Sequence, residues 1–165
     1  MSNIRQVLNK IIGEKIKKIG RTADMMWVCF GKDVNTVNYK GESVVKTKYS
    51  FNIQCSWRIK NEKQILFASN DIYKPNSLTE QTDDFDWDIQ GNNLFDEKSK
   101  TWLKQIDNHY IIEAVLNSCN DLFLTLSNGD VLETFIDTSE DDECWRLLDY
   151  GENHIVVTGS DVQLQ

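Results

Sequence analysis

No apolar run in this sequence approaches the length needed to cross a bilayer. The opening MSNIRQVLNKIIGEK holds no uninterrupted apolar core of the secretory kind. The four cysteines, at 29, 55, 119 and 144, form no C-x-x-C pair, and neither they nor the two histidines have zinc-finger spacing. G-x-S-x-G, G-x-G-x-x-G and the P-loop are all missing. His109 and His154 each precede an apolar run and read as residues at strand starts, and no spacing supports pairing Cys55 or Cys144 with either. The sequence therefore leans away from an enzyme and calls for no cofactor. Cys29 and Cys55 lie within apolar runs, where a free thiol behaves as a small hydrophobe. That usage fits a reducing compartment and predicts a cytoplasmic protein. Positive charge is also short: the formal net charge is -8. Such a balance repels phosphate backbones, favours solubility and suits a basic partner, which argues against nucleic acid.

Large side chains are present in number. Aromatics make up 10% of the 165 residues and include five Trp. A chain of this length fits a single domain over residues 1–165 and hides roughly 70% of its extended surface on folding. The clearest pattern is at residues 49–59. Tyr49, Phe51, Ile53, Cys55, Trp57 and Ile59 alternate with Ser50, Asn52, Gln54, Ser56 and Arg58, the period of one continuous strand with one buried face. A polar turn at 60–63 and an apolar run from 64 to 68 complete an antiparallel hairpin, with the aromatic side chains anchoring a core.

Around this hairpin the chain reads in order. Ile4, Val7, Leu8, Ile11 and Ile12 are spaced for one helix face, with Ser2 as N-cap and Gly13 as stop. That face is narrow and has no aromatics, so it predicts packing on a sheet and not on a membrane. Residues 15–22 and 24–30 read as a hairpin. The unbroken apolar run 25–30 predicts a strand covered on both faces, ended by Gly31 and followed by a loop over 32–42. Residues 73–93 hold the only proline, Pro75, and form a long irregular connection, a feature that is usually functional or mobile. Residues 94–106 predict a short helix with Phe95, Trp102, Leu103 and Ile106 on one face, and 110–116 a strand. Asn128-Gly129 predicts a type I′ hairpin turn between 122–126 and 131–136. Residues 143–148 and 154–158 pair last, and the polar tail after Gly159 is expected to fray. The class is α+β, mainly antiparallel sheet, with the N-terminal helix packed on it. Residues 13–60 and 109–148 echo each other as strand, turn, strand, then a strand carrying Cys55-Ser56-Trp57-Arg58 or Cys144-Trp145-Arg146, as a duplicated unit would.

Two acidic runs are the candidate sites. Asp83, Asp84, Asp86 and Asp88 surround Phe85 and Trp87. Glu140, Asp141 and Asp142 form the second run. In an extended chain Asp84, Asp86 and Asp88 share an edge and are weak candidates for a Mg²⁺ or Ca²⁺ site, but Ile89 stands where an EF-hand loop needs Gly. The plainer reading tucks the aromatics down and leaves the acids in water. Together the two runs would make an acidic surface for a cationic partner. Arg58 and Arg146, each after a Trp, are expected to face away from the core and pair with acids.

The segments FNIQCSWRI (51–59), SNDIY (69–73), FDWDIQGNNLFD (85–96), LSNGDVLETF (126–135) and ECWRLL (143–148) resemble the pattern of a group of small bacterial proteins of unknown function, over about 13–158. The resemblance implies no catalytic residue. In character such chains are similar to immunity proteins of bacterial toxin systems, an analogy and not a motif match. The leading expectation is a non-enzymatic binding protein that occludes a basic partner such as a toxin. A metal-dependent enzyme built on Asp84, Asp86 and Asp88 and a homo-oligomeric scaffold are the alternatives.

Overall fold

The computed structural model describes residues 2–165; the side chain of Ser2, the expected N-cap, lies outside the described residues. The order is α1 (Ser2–Asn9), β1 (Ile16–Thr22), β2 (Met25–Val37), β3 (Ser43–Ile53), β4 (Ser56–Lys60), β5 (Ile65–Ala68), a 3-10 turn (Ser69–Tyr73), α2 (Leu94–Gln105), β6 (Ile111–Leu116), β7 (Leu122–Leu126), β8 (Val131–Phe135), β9 (Glu143–Asp149), β10 (Ile155–Thr158) and β11 (Val162–Leu164). Two antiparallel sheets result, a six-stranded one ordered β1-β2-β3-β9-β10-β11 and a five-stranded one ordered β5-β4-β8-β7-β6. The α+β class read from the sequence holds.

The central stretch is not one strand. It breaks at Gln54-Cys55, where both backbone N–H groups donate to the Cys144 carbonyl, at 2.8 and 3.0 Å. At this corner the chain leaves the six-stranded sheet as β3 and enters the five-stranded sheet as β4. The alternation of side chains survives the corner, because both sheets turn the same face of this ribbon inward. Tyr49, Phe51, Ile53, Cys55, Trp57 and Ile59 are all buried. Phe51 meets Phe30 and Trp145 at 5.4 and 5.9 Å on one side of the corner. Trp57 meets Phe67 and Phe95 at 5.9 and 5.6 Å on the other. The hairpin predicted after Ile59 is β4–β5.

Helix, then five strands, occurs twice. Strands β1-β2-β3 form a meander, and β4-β5 cross to the other sheet; β6-β7-β8 form a meander, and β9-β10 cross back, with β11 added at the edge. Each sheet is therefore built from both halves, with β4 against β8 and β9 against β3. The helices exchange as well: α1 packs on β6 and α2 on β1. Gly13 N–H donates to the Ile111 carbonyl and Ile111 N–H to that of Glu14, sealing the first exchange. Trp57 lies opposite Thr134, and Trp145 opposite Ile53, at matching places in the two sheets. This arrangement differs from two similar sheets stacked side by side.

Four local expectations are corrected. β2 does not end at Gly31; it passes through a bulge there and runs on to Val37, so only 38–42 is loop. Its run 25–30 is covered on one face only, since Trp27 and Cys29 are half-exposed. In the β7–β8 turn only Gly129 has positive φ (+90°), and Leu126 pairs with Asp130 around three residues. That is a three-residue hairpin loop with Gly in the left-handed position, not a type I′ turn. The tail does not fray: β11 pairs with β10 through Val157 and Val162.

Candidate functional site: an acidic end of the six-stranded sheet

Strand register places Arg21, Met26, Ile53, Trp145 and Val157 in one row across β1, β2, β3, β9 and β10. Met26 faces the core, so Arg21 opposite it does too, and its side chain is 0% exposed. A buried guanidinium needs a full set of acceptors. Arg21 has them: Nε and Nη2 bind the two Asp96 carboxylate oxygens at 2.9 and 3.0 Å, Nη1 binds the Ala23 carbonyl at 3.0 Å, and Nη2 also reaches the carbonyls of Ile89 at 3.1 Å and Asp88 at 3.3 Å. The Asp88 carboxylate lies 3.6 Å from Nη1.

This fork fixes the irregular connection. Asp96, in the first turn of α2, also accepts from Gly91 N–H at 2.7 Å. Asn93 caps α2 by accepting from Asp96 N–H at 2.9 Å, and its amide donates to the Trp87 carbonyl at 3.0 Å. Asn76 donates to the Gly91 carbonyl at 2.6 Å, and the Thr79 hydroxyl donates to that of Asn92 at 2.6 Å. The stretch between Tyr73 and Leu94 is thus a packed surface loop closed on itself. Within it Asp83, Asp84, Asp86 and Asp88 are exposed, while Phe85 and Trp87 are half-buried, as the plainer sequence reading has it. Trp87 stands edge-on to Tyr73 at 5.0 Å, and the Tyr73 hydroxyl donates to Asp24 at 2.8 Å. Burial, and then the Asp24 carboxylate, push the Tyr73 phenol upward. Ile89 and part of Tyr73 remain open to solvent beside the acids.

The second acidic run lies at the same end of the sheet. Glu140, Asp141 and Asp142 are exposed. Gly159, just past β10, donates to the Asp142 carbonyl at 3.3 Å, and the Ser160 hydroxyl donates to Asp141 at 3.3 Å. A Cβ at Gly159 would stand 2.3 Å from the Thr138 carbonyl, so only glycine lets the two loops meet. The two acidic segments are tied to β1 and β10, four strand spacings apart, or about 19 Å. The structure therefore sets Asp83, Asp84, Asp86, Trp87, Asp88, Glu140, Asp141 and Asp142 along one end of one sheet.

Asp84, Asp86 and Asp88 do not converge. Asp86 accepts from Asp88 N–H at 3.0 Å, and Asp88 turns toward Arg21. Among the described residues no three His, Cys, Asp or Glu side chains gather so as to hold a metal ion. Burial, then Cys144, pushes the Cys55 thiol up to about 12, and burial also raises that of Cys144. His109 bonds Ser127 at 3.1 Å.

Arg58 and Arg146 form the expected ion pairs, Arg58 with Glu133 and Arg146 with Glu143, both at 2.6 Å, and Lys60 joins Glu133 at 2.9 Å. Two charged centres escaped the sequence reading. One is the Arg21 fork. The other is Asp149, fully buried at the end of β9, which faces Lys48 at 2.6 Å and Lys10 at 3.5 Å. Contact with Asp149 raises the Lys48 ammonium against the burial that lowers it. Both centres join residues distant in sequence, and no local pattern announces either.

No family model matches the chain, and no curated protein or solved structure does either. The resemblance given above rests on its motifs alone.

Proposed function

We propose that the protein is a non-enzymatic binding protein that receives a basic protein surface on the acidic end of its six-stranded sheet, in the manner of an immunity-type inhibitor that occludes a toxin. The observation that carries this reading is the Arg21 fork. It spends a fully buried guanidinium on holding an exposed acidic loop still. A preorganised loop loses little entropy on binding, and clustered carboxylates raise the encounter rate with a cationic partner. Tyr73 and Ile89, part-exposed beside the acids, supply apolar anchoring at the centre of such a contact. Four free thiols and the absence, among the described residues, of a helix able to cross a membrane are compatible with work in the cytoplasm.

Asp83→Lys, Asp84→Lys and Asp86→Lys together test the reading. Proteins retained from a cell lysate by the wild type and lost by the variant are expected to be basic, with association slowed on the order of tenfold or more. Equal retention of the same basic proteins by both would remove the acidic end as the working surface.

A further inference from the structure

One part of the fold has no task in the core. β1 pairs with β2 only as far as Phe30, and β9 pairs with β3 only from Tyr49. Beyond these points β2 and β3 pair with each other alone, from Asp33–Thr47 to Val37–Ser43, and form a two-stranded arm. Among residues 31–48 only Gly31 and Thr47 are buried. A lone two-stranded ribbon is marginal in water, and little burial offsets the entropy of ordering this one. The corresponding hairpin of the other half, β7–β8, closes at Leu126 and Asp130 with no such extension.

The arm's surface has a definite chemistry. Val37 and Val45 are 65% and 66% exposed, and Tyr39 in the loop is 92% exposed. Asn35–Val45 and Val37–Ser43 are directly opposed pairs two residues apart, so Val37 and Val45 share one face. Lys32, Lys40 and Lys46 lie on the arm, with Lys40 over the Tyr39 ring at 5.6 Å and Lys46 over that of Tyr150 at 4.9 Å. Its two acids are engaged locally, Asp33 with Lys17 at 3.2 Å and Glu42 with the Asn38 amide at 2.8 Å. The tip lies roughly 35 Å along β2 from the row through Arg21, at about 3.3 Å per residue. The six-stranded sheet thus carries a basic, apolar-tipped arm at one end. At the other end, residues 83–88 and 140–143 contain acids and no base.

We infer that this arm docks on the acidic end of a second copy of the chain, head to tail. The inference rests on the acidic-end reading above and names a partner for it: the arm supplies ammonium groups for the carboxylates and Val37, Tyr39 and Val45 for the exposed parts of Tyr73 and Ile89. The contact is heterologous, using different patches on the two molecules, so it continues into chains or rings and does not stop at a symmetric dimer.

Complementation between two variants tests it. The arm variant is Tyr39→Ser, Lys40→Glu and Val45→Thr. The acid variant is Asp83→Lys, Asp84→Lys, Glu140→Lys and Asp142→Lys. These side chains are exposed, so circular dichroism and thermal melting should match the wild type. In sedimentation velocity the wild type is expected to grow past the dimer with concentration, and each variant alone to stay monomeric. The two mixed should form a dimer that grows no further, because each retains one working patch. A wild type that stays monomeric, an acid variant that dimerises by itself, or a mixture that stays monomeric would each overturn the inference. Poly-L-lysine separates this from the broader reading. If it binds the arm variant and not the acid variant while self-association fails, the acidic end still receives basic chains and only the identity of its partner is wrong.

Discussion

Arg21 is the residue that ties the 83–88 loop to the six-stranded sheet. Its guanidinium has no contact with water and joins β1, the loop after the 3-10 turn, and the first turn of α2. Removing one partner of a buried ion pair strands the other, so Arg21→Ala should cost about 3–5 kcal/mol by leaving Asp96 without its counter-charge. Lysine keeps the charge but not the fork, and Arg21→Lys should recover only part of that loss. Urea unfolding reads both, and a cost below about 1 kcal/mol for alanine would mean the loop is held by something else. Acidification acts on other residues in the same direction. Burial and then Arg146 lower the His154 pKa, so the folded protein favours its neutral ring. That stability is present above the unfolded value of about 6.5 and is lost as pH falls through the folded one. Burial pulls Glu133 upward, but Lys60 and Arg58 outweigh it, and its net shift is downward. Its contribution is present above about 4.3 and is lost at lower pH. The melting temperature should therefore fall in two windows on the acid side, and His154→Gln should flatten the upper one. A melting temperature level from neutral pH down to 5 in the wild type would contradict the His154 assignment.

At the scale of the element, what was legible in the sequence was local. The apolar spacing of Phe95, Trp102, Leu103 and Ile106 gives α2 its buried side. Short polar turns between apolar or alternating runs give the β1–β2, β4–β5, β7–β8 and β9–β10 hairpins. The corner at Gln54-Cys55 was hidden for a physical reason: a period of two reports which face a side chain takes, and that face is inward in both sheets. The extension of β2 past Gly31 was hidden because a ribbon with both faces wet has no alternation to read. β11 is three residues of a polar tail, and what makes it a strand is the open edge of β10 beside it. The acidic segments were legible as charge runs. That β1 and β10 tie them to one end of one sheet was not, because strand order across halves is a long-range property.

At the scale of the molecule, the exchange of strands and helices decides how the chain can be divided. The first half sends two strands, β4 and β5, into the other's sheet, the second sends three, β9, β10 and β11, and each lays its helix onto the other's first strand. Residues 1–81 keep β1–β5 but lose β9, which covers one edge of β3, and β8, which covers one edge of β4. They also lose Phe95 and Trp102, which close over Phe67 at 6.0 and 5.6 Å. Residues 82–165 lose the matching partners. Neither fragment can bury its aromatic residues alone, and each exposes strand edges that the whole chain pairs. Together they lack only one peptide bond, in a stretch where Gln81 to Asp84 are exposed. The expected outcome is that each fragment is unfolded or aggregated by itself. An equimolar mixture refolded from urea should regain the wild-type circular dichroism and unfold cooperatively, with a midpoint that rises with concentration as a two-chain assembly requires. Cooperative unfolding of either fragment alone would mean that one half holds a complete core, and the interlocked description of the two sheets would fail.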